Sequence, residues 1–245
     1  MANHYRVQLY WSGRDDAPRD LAHQIAAFLS ALGSAHEDLA GWQSAGEREP
    51  VPADSEAACL AALERHRVAW ATGKERRTSY RPRFFLEREA ASPAAVTVTC
   101  GIPRLDLGPI FTPNRLEMLV RADAGKERAS RVALEVALRA AVDAFRPDWG
   151  FAGTDGMPAP PLPVFSDGTP VVGWMTYLSA AYPPLPAALP EPAVVYSMLP
   201  HGALIVAHPE LFQEQDPAHR DAIARVHEAL RAAEVLVPAH ALRPS

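Results

Sequence analysis

The segments AVTVTC at residues 95–100 and RLEMLVR at residues 115–121 decide the fold class of this chain. In both, apolar residues occupy every second position and polar residues occupy the positions between them. A period of two is typical of a strand with one buried face and one wet face. Two such strands close together in sequence predict an antiparallel sheet.

Further strands are predicted on both sides of this pair. Residues 4–11, HYRVQLYW, alternate in the same way, and residues 84–86 form a short β-rich run. Residues 194–198 and 203–206 flank Pro200-His201-Gly202 and predict a hairpin. The apolar segment 171–179, VVGWMTYLS, is too short to assign to a helix or a strand, and GFAGTDG at 150–156 is interpreted as a flexible turn.

Four amphipathic helices are predicted from apolar stripes and capping residues. The first begins at the cap Asp16 with Pro18 in its first turn and stops at Gly33. The others run from a cap at Asp54 or Ser55 to about Ala71, from about Lys126 to Phe145, and from the cap Asp216 with Pro217 onward.

Strands that cluster between flanking helices predict an α+β fold, with a mainly antiparallel (mixed) sheet and flanking amphipathic helices. Neither an internal repeat nor a long linker divides the chain, so we expect a single domain over residues 1–245. Proline clusters within 156–192 predict loops or extended arms, because proline cannot donate to a strand ladder.

Composition narrows the class of protein. The net charge of −5 argues against nonspecific binding to nucleic acid, which needs a basic surface, but it suits a basic protein partner. No apolar stretch is long enough for a membrane span, and the N-terminus does not resemble a secretory signal. The two cysteines, Cys59 and Cys100, are interpreted as reduced thiols, so we expect a cytoplasmic protein without membrane contact.

Catalytic and cofactor motifs are missing from the sequence. There is no Walker loop, no GxGxxG, no GxSxG elbow and no zinc-ligand spacing among nine histidines. His201 and His208 flank a predicted strand and are interpreted as ordinary strand-end histidines. The basic run KERR at 74–77 is interpreted as a solvated helix end. We therefore predict no catalytic residue, no cofactor and no metal.

Several short motifs in a fixed order resemble the immunity protein 52 family of bacterial polymorphic toxin systems. Tyr10, Trp11 and Arg14 form a Y-W-x-x-R motif, and Gly173, Trp174 and Tyr177 belong to a G-W-x-x-Y-L motif. The remaining matches span nearly the whole chain: Gly41-Trp42, Cys100-Gly101, Asn114, Pro147-Asp148-Trp149 and Val235-Leu236-Val237-Pro238.

The resemblance implies a non-enzymatic immunity protein that binds and neutralises a cognate toxin. Members of this family are encoded beside toxins with a restriction-endonuclease-like domain, so it also implies a DNase partner. Two alternatives remain open: an enzyme with an unrecognised site, and an adaptor component of a secretion system. An adjacent toxin gene would favour immunity, and an operon of secretion components without a toxin would favour the adaptor.

Residues 34–60 are the candidate toxin-binding segment. They carry six acids and one base, a net charge of −5 that equals the charge of the whole chain. An exposed acidic loop could imitate the charge of DNA and meet a basic nuclease cleft; alternatively, the acids nearest the second helix stabilise its N-terminus. The candidates are Glu37, Asp38, Trp42, Glu47 and Glu49.

Aromatic and basic motif residues leave two interpretations open. Trp11 and Trp174 lie among strand-like apolar residues, which favours core packing over interface anchoring. Trp42 sits in a polar neighbourhood, where the two interpretations are equally supported. Arg14 could clamp a carboxylate, most simply within the fold.

Overall fold

A computed structural model describes the chain over residues 4–14, 16–44, 51–72, 75–86, 93–102, 113–122, 129–157, 168–198 and 200–242. The strands within these ranges are β1 (His4–Trp11), β2 (Gln43–Ser44), β3 (Val51–Pro52), β4 (Arg67–Thr72), β5 (Glu75–Tyr80), β6 (Arg83–Phe85), β7 (Ala94–Thr99), β8 (Asn114–Arg121), β9 (Trp149–Thr154), β10 (Met175–Ser179), β11 (Val194–Met198) and β12 (Gly202–Val206). The α-helices are α1 (Pro18–Ala35), α2 (Glu56–Arg65), α3 (Arg131–Phe145) and α4 (Pro217–Ala232), with 3₁₀ turns at Glu37–Leu39 and Ala239–Ala241.

Ten of these strands form one sheet in the order β11-β12-β10-β9-β1-β8-β7-β6-β2-β3. Every pairing in it is antiparallel. The predicted α+β fold with a mainly antiparallel sheet is confirmed. β1 lies in the interior of the sheet, and all eight of its residues pair with β8.

The two faces of the sheet carry separate hydrophobic cores. Val7, Leu9 and Trp11 of β1 pack into the larger core with buried residues of α1, α2 and α3. Tyr10, on the opposite face of β1, belongs to a second core that includes Val226 and Leu230 of α4. Successive strand residues point to opposite faces, so β1 alternates between a three-helix layer and a layer built on α4.

The helix starts partly follow the predicted caps. Ser55 accepts a hydrogen bond from the Ala58 N–H, and Asp216 accepts one from the Ala218 N–H. α1 differs, because its N-cap is Ala17, which makes no side-chain cap, and the helix continues past Gly33 to Ala35. The predictions that Asp16 caps α1 and that Gly33 ends it are therefore wrong.

The predicted extension of the second helix to Ala71 is also wrong. α2 ends at Arg65, and β4 and β5 form a separate two-stranded hairpin. Val68, Trp70 and Thr72 have β-branched or aromatic side chains that favour a strand, and Gly73 and Lys74 lie between the paired residues Thr72 and Glu75. The basic run, where the structure describes it, lies in β5 rather than at a helix end.

Residues 150–154 of the glycine-rich segment belong to the interior strand β9, and only residues 155 and 156 form a turn. β9 is buried at all six positions, so it has no polar alternation from which to predict a strand. A Cβ at Gly150 would lie 2.7 Å from the Gln8 carbonyl oxygen. Glycine at this position therefore allows β9 to approach β1 closely.

The remaining boundaries change little. Segment 171–179 contains β10, and the predicted hairpin of β11 and β12 is confirmed. α3 begins at Arg131 after the cap Ser130, whereas the predicted start at 126 lies outside the described residues. Among the described helices, none is long and apolar enough to cross a membrane.

Candidate protein-binding surface

The first motif places two aromatic rings inside the protein. Tyr10 stacks on Trp149 with ring centroids 4.4 Å apart, and its hydroxyl donates to Gln8 Oε1 at 3.0 Å. Burial raises the pKa of the Tyr10 hydroxyl to about 12. Trp11 stacks on Phe145 of α3 with centroids 5.3 Å apart. Both rings hold the sheet against its neighbouring layers and are not available to a partner.

Arg14 caps the C-terminal end of α3. Its guanidinium donates to the carbonyl oxygens of Phe145, at 2.9 Å, and Arg146. A cation at this end offsets the partial negative charge of the helix carbonyls. The predicted carboxylate clamp is therefore wrong in its acceptor, although the contact lies within the fold as expected.

The second motif joins β10 to the strand and loop beside it. Gly173 N–H donates to Thr176 Oγ1 at 3.0 Å. The Trp174 indole donates to the His208 carbonyl oxygen at 2.8 Å, and the Tyr177 hydroxyl donates to the His201 carbonyl oxygen at 2.7 Å. Trp174 is fully buried, so the structure favours the core interpretation of its ring, as it does for Trp11.

The acidic candidate segment is described only in part. Glu37 and Asp38 begin the 3₁₀ turn that follows α1, where Glu37 is exposed and Asp38 is half-buried. Glu47 and Glu49 lie outside the described residues. Trp42 is 4% exposed and belongs to the larger core, so it is not an exposed interface anchor.

Trp42 instead holds two acidic segments beside each other. Its indole N–H donates to the Leu39 carbonyl oxygen at 2.7 Å. Its backbone carbonyl accepts from the Ala53 N–H at 2.8 Å. The 3₁₀ turn with Glu37 and Asp38 is thereby linked to the segment carrying Asp54 and Glu56, both of which are exposed. We call Glu37, Asp38, Asp54 and Glu56 the acidic surface.

The charges of this surface act on a buried thiol, that of Cys59. The pKa of the Cys59 thiol is raised to about 11, first by burial and then by the charges of Asp54 and Glu56. His23 Nδ1 lies 3.3 Å from Glu56 Oε2, and both side chains are largely exposed. An exposed pair of this kind contributes little to stability. The described part of the segment therefore presents the exposed carboxylates of Glu37, Asp54 and Glu56 to a basic partner.

A histidine cluster lies elsewhere, at the start of α4, and sequence spacing did not reveal it. One ligand atom each from His208, Glu210 and His219 lie within 4.8 Å of one another. The two imidazole rings are 4.1 Å apart, and His219 is almost fully buried. The two histidines are eleven positions apart in sequence, and the fold of the loop brings them together.

Hydrogen bonding in this cluster disfavours a metal ion. The Gln213 N–H donates to His219 Nδ1 at 2.9 Å, and the Glu210 N–H donates to His208 Nδ1 at 3.3 Å. In a neutral ring whose Nδ1 accepts, the proton is on Nε2, which then has no lone pair for a metal. The Nε2 atom of His219 faces Glu210 and Asp216 carboxylate oxygens at 3.8 and 3.9 Å. The cluster instead joins α4 to the preceding loop through these contacts. We call the contacts of His208, Glu210 and His219 the latch.

We expect this latch to weaken in acid. Desolvation and then the neighbouring His219 hold the pKa of His208 below its ordinary value. Between that lowered pKa and the unfolded value of about 6.5, the unfolded chain binds a proton that the folded chain does not. The His208 contribution is therefore complete above this window and is lost as the pH falls through it.

Urea unfolding at pH 7 and pH 5 measures the effect. His208→Asn keeps an acceptor but cannot titrate, so its stability should fall less between the two pH values than that of the parent. The control His227→Asn removes an exposed histidine of α4. An equal loss in the parent and His208→Asn would contradict the latch.

Comparisons with known proteins agree with the motifs. A family model described as immunity protein 52 matches residues 3–239. The chain also resembles a solved structure described as Pseudomonas aeruginosa T6SS protein PA0821, with a TM-score of 0.57 and 12% sequence identity, covering 94% of this chain and 76% of that chain. At that identity the likeness concerns the fold alone. No curated protein matches the chain.

Proposed function

This chain belongs to the immunity protein 52 family, and on that premise we propose that it binds a cognate bacterial toxin and neutralises it. The observation that carries the proposal is the match over residues 3–239, which includes both the buried motifs and the acidic surface. We further propose that the toxin is a DNase and that the protein acts in the cytoplasm, where the DNA is.

The acidic surface supports a nuclease partner. A DNase binds a polyanion and must therefore present a basic cleft. Glu37, Asp54 and Glu56 are exposed carboxylates on segments held together by Trp42. Opposite potentials on the two proteins would accelerate their encounter and make it sensitive to salt.

A non-enzymatic role is consistent with the chemistry of the described residues. The histidine cluster is the group most suited to catalysis, but both Nδ1 atoms accept backbone hydrogen bonds. Cys59 and Cys100 are buried, and burial raises the pKa of each thiol, which makes the reactive thiolate scarce.

An adaptor in a secretion system is the second candidate. The T6SS name of the structural neighbour is the observation that favours it. The gene beside the one for this chain distinguishes the two functions: a toxin favours immunity, and secretion components without a toxin favour the adaptor.

The DNase domain of an adjacent toxin, purified and mixed with this chain, should form a stable complex and lose its DNA cleavage. Unchanged cleavage at saturating concentrations of this chain would contradict a DNase partner.

Neutralising the acidic surface should slow this association. We expect the triple variant Glu37→Gln, Asp54→Asn, Glu56→Gln to reduce the association rate by about tenfold at low ionic strength, since steering contributes 10–1,000-fold in such pairs. Its rate should also depend less on salt than that of the parent. Stopped-flow measurements across a salt series give both quantities.

A matched control separates local charge from net charge. Asp143→Asn, Asp221→Asn and Glu228→Gln change the net charge by the same three units at exposed positions on α3 and α4. This control should keep nearly the parent's rate and salt dependence. If both triple variants slow association equally, the acidic surface is not the contact, and the loops within 156–192 become the next candidate.

A further inference from the structure

β11 forms one outer edge of the ten-stranded sheet. All five of its residues pair with β12 on one side. Among the described residues, no strand pairs with its other side. Such an edge presents backbone N–H and C=O groups to any extended chain that approaches it.

The strand itself carries none of the charged side chains that usually prevent such pairing. Residues 193–202 contain no Asp, Glu, Lys or Arg. Val194 and Val195 are 41% and 44% exposed, side by side on the strand. The opposite edge, β3, is only two residues long and contains Pro52, which cannot donate to a ladder. Within the described part of the chain, one edge of the sheet is therefore blunted and the other is open.

The sequence of the open edge suits antiparallel pairing with itself. Pro192 and Pro200 lie four residues before and four residues after Tyr196. When Tyr196 of one copy lies opposite Tyr196 of the other, Pro192 of each copy lies opposite Pro200 of the other. Both prolines are then at the ends of the ladder, where no backbone N–H is needed. Val195 then lies opposite Ser197, both of which are exposed in a single copy.

We propose that a second copy of this chain pairs with β11, antiparallel and centred on Tyr196. The two ten-stranded sheets then continue as one across a twofold axis. Symmetry of this kind is the commonest among homodimers, because one self-complementary strand supplies both halves of the contact. The pairing covers Val194 and Val195 and removes the open edge.

The dimer leaves the acidic surface uncovered. The segments that carry it flank β2 and β3, at the other end of the strand order from β11. Self-association and toxin binding therefore use different regions. The dimer can be tested without any toxin and does not depend on the proposed function.

Sedimentation velocity of the full chain from 1 to 100 µM, concentrations chosen to cover moderate affinities, tests the proposal. The 26.6 kDa chain should sediment increasingly as a species of twice that mass. Val195→Lys places a charge on the edge, as natural edge strands do, and should raise the dimer dissociation constant about 100-fold, since it brings two like charges together across the twofold axis. The control Val68→Lys changes an equally exposed strand valine of β4 and should leave the dimer intact.

A cross-linking measurement tests the register. A Val195→Cys copy mixed with a Ser197→Cys copy should form a disulfide-linked heterodimer faster than either forms a homodimer, because opposed Cβ atoms lie about 5 Å apart. The native Cys59 and Cys100 are buried, so the parent chain, which has only these two thiols, should not cross-link under the same conditions. Unfolding curves verify that each variant is folded.

Two results would overturn the proposal. One is a parent that stays monomeric at every concentration, and the other is a dimer that survives Val195→Lys. If the parent is monomeric and Val195→Lys loses toxin binding, β11 is assigned to the toxin instead.

Discussion

Replacing Trp174 with alanine is expected to lower the free energy of unfolding by about 3–5 kcal/mol. The indole is fully buried in the larger core, and its N–H donates to the His208 carbonyl oxygen. Its backbone carbonyl accepts from the Ala207 N–H at 2.9 Å, which aligns the start of β10 with the end of β12. Removing the ring creates a cavity and leaves the His208 carbonyl without this donor.

Urea denaturation of Trp174→Ala and Trp174→Phe separates these two contributions. The phenylalanine variant keeps most of the apolar volume but loses the donor, so it should be destabilised by about 1–3 kcal/mol. We expect toxin binding to fail in the alanine variant only to the extent that folding fails. A variant that melts like the parent and yet loses its toxin would make Trp174 an interface anchor.

Replacing Gly202 with alanine should be nearly as damaging, at about 2–5 kcal/mol, since strain and overpacking each contribute a few kcal/mol. Gly202 begins β12 with a φ of +151°, a conformation open mainly to glycine. A Cβ there would lie 2.1 Å from the Leu178 carbonyl oxygen, which belongs to the sheet backbone and cannot move aside cheaply.

Gly41→Ala is the matched control for this substitution. Gly41 also has a positive φ, of +79°, but a Cβ there meets nothing within 4 Å. It should lose only the conformational contribution, about 1 kcal/mol. Thermal melts of both variants measure the loss of stability in each. Equal losses would mean that the contact between the added Cβ and β10 contributes nothing.

Sequence pattern predicted the strands that have one wet face. β7 and β8 alternate between buried and half-buried positions, as their side chains require. The same rule cannot find β9, because a strand buried on both faces has no alternation and its glycines have no side chains to count. The strand order also depends on pairings far apart in sequence, such as Tyr10 with Trp149, which no local pattern contains.

The candidate site was predicted less completely than the fold. The excess of acids in 34–60 can be counted from the sequence, but the burial of Trp42 cannot. Its polar neighbours left core packing and interface anchoring equally supported, whereas hydrogen bonds with Leu39 and Ala53 hold it in the core. His208 and His219 show the same limit, because a loop rather than a ligand spacing brings their rings together.

The interior position of β1 bears on when a newly made copy becomes able to carry out the proposed toxin binding. β1 is synthesised first, but its neighbours β8 and β9 end at Arg121 and Thr154. The ribosome adds about 5–20 residues per second, so β1 waits on the order of 10 s before both of its neighbouring strands have been synthesised. We therefore expect nascent chains arrested near residue 140 to be digested by protease within β1, and released full-length chains to resist. On the proposed function, truncated copies would then give no partial protection, and a cell would need finished copies before a toxin arrives.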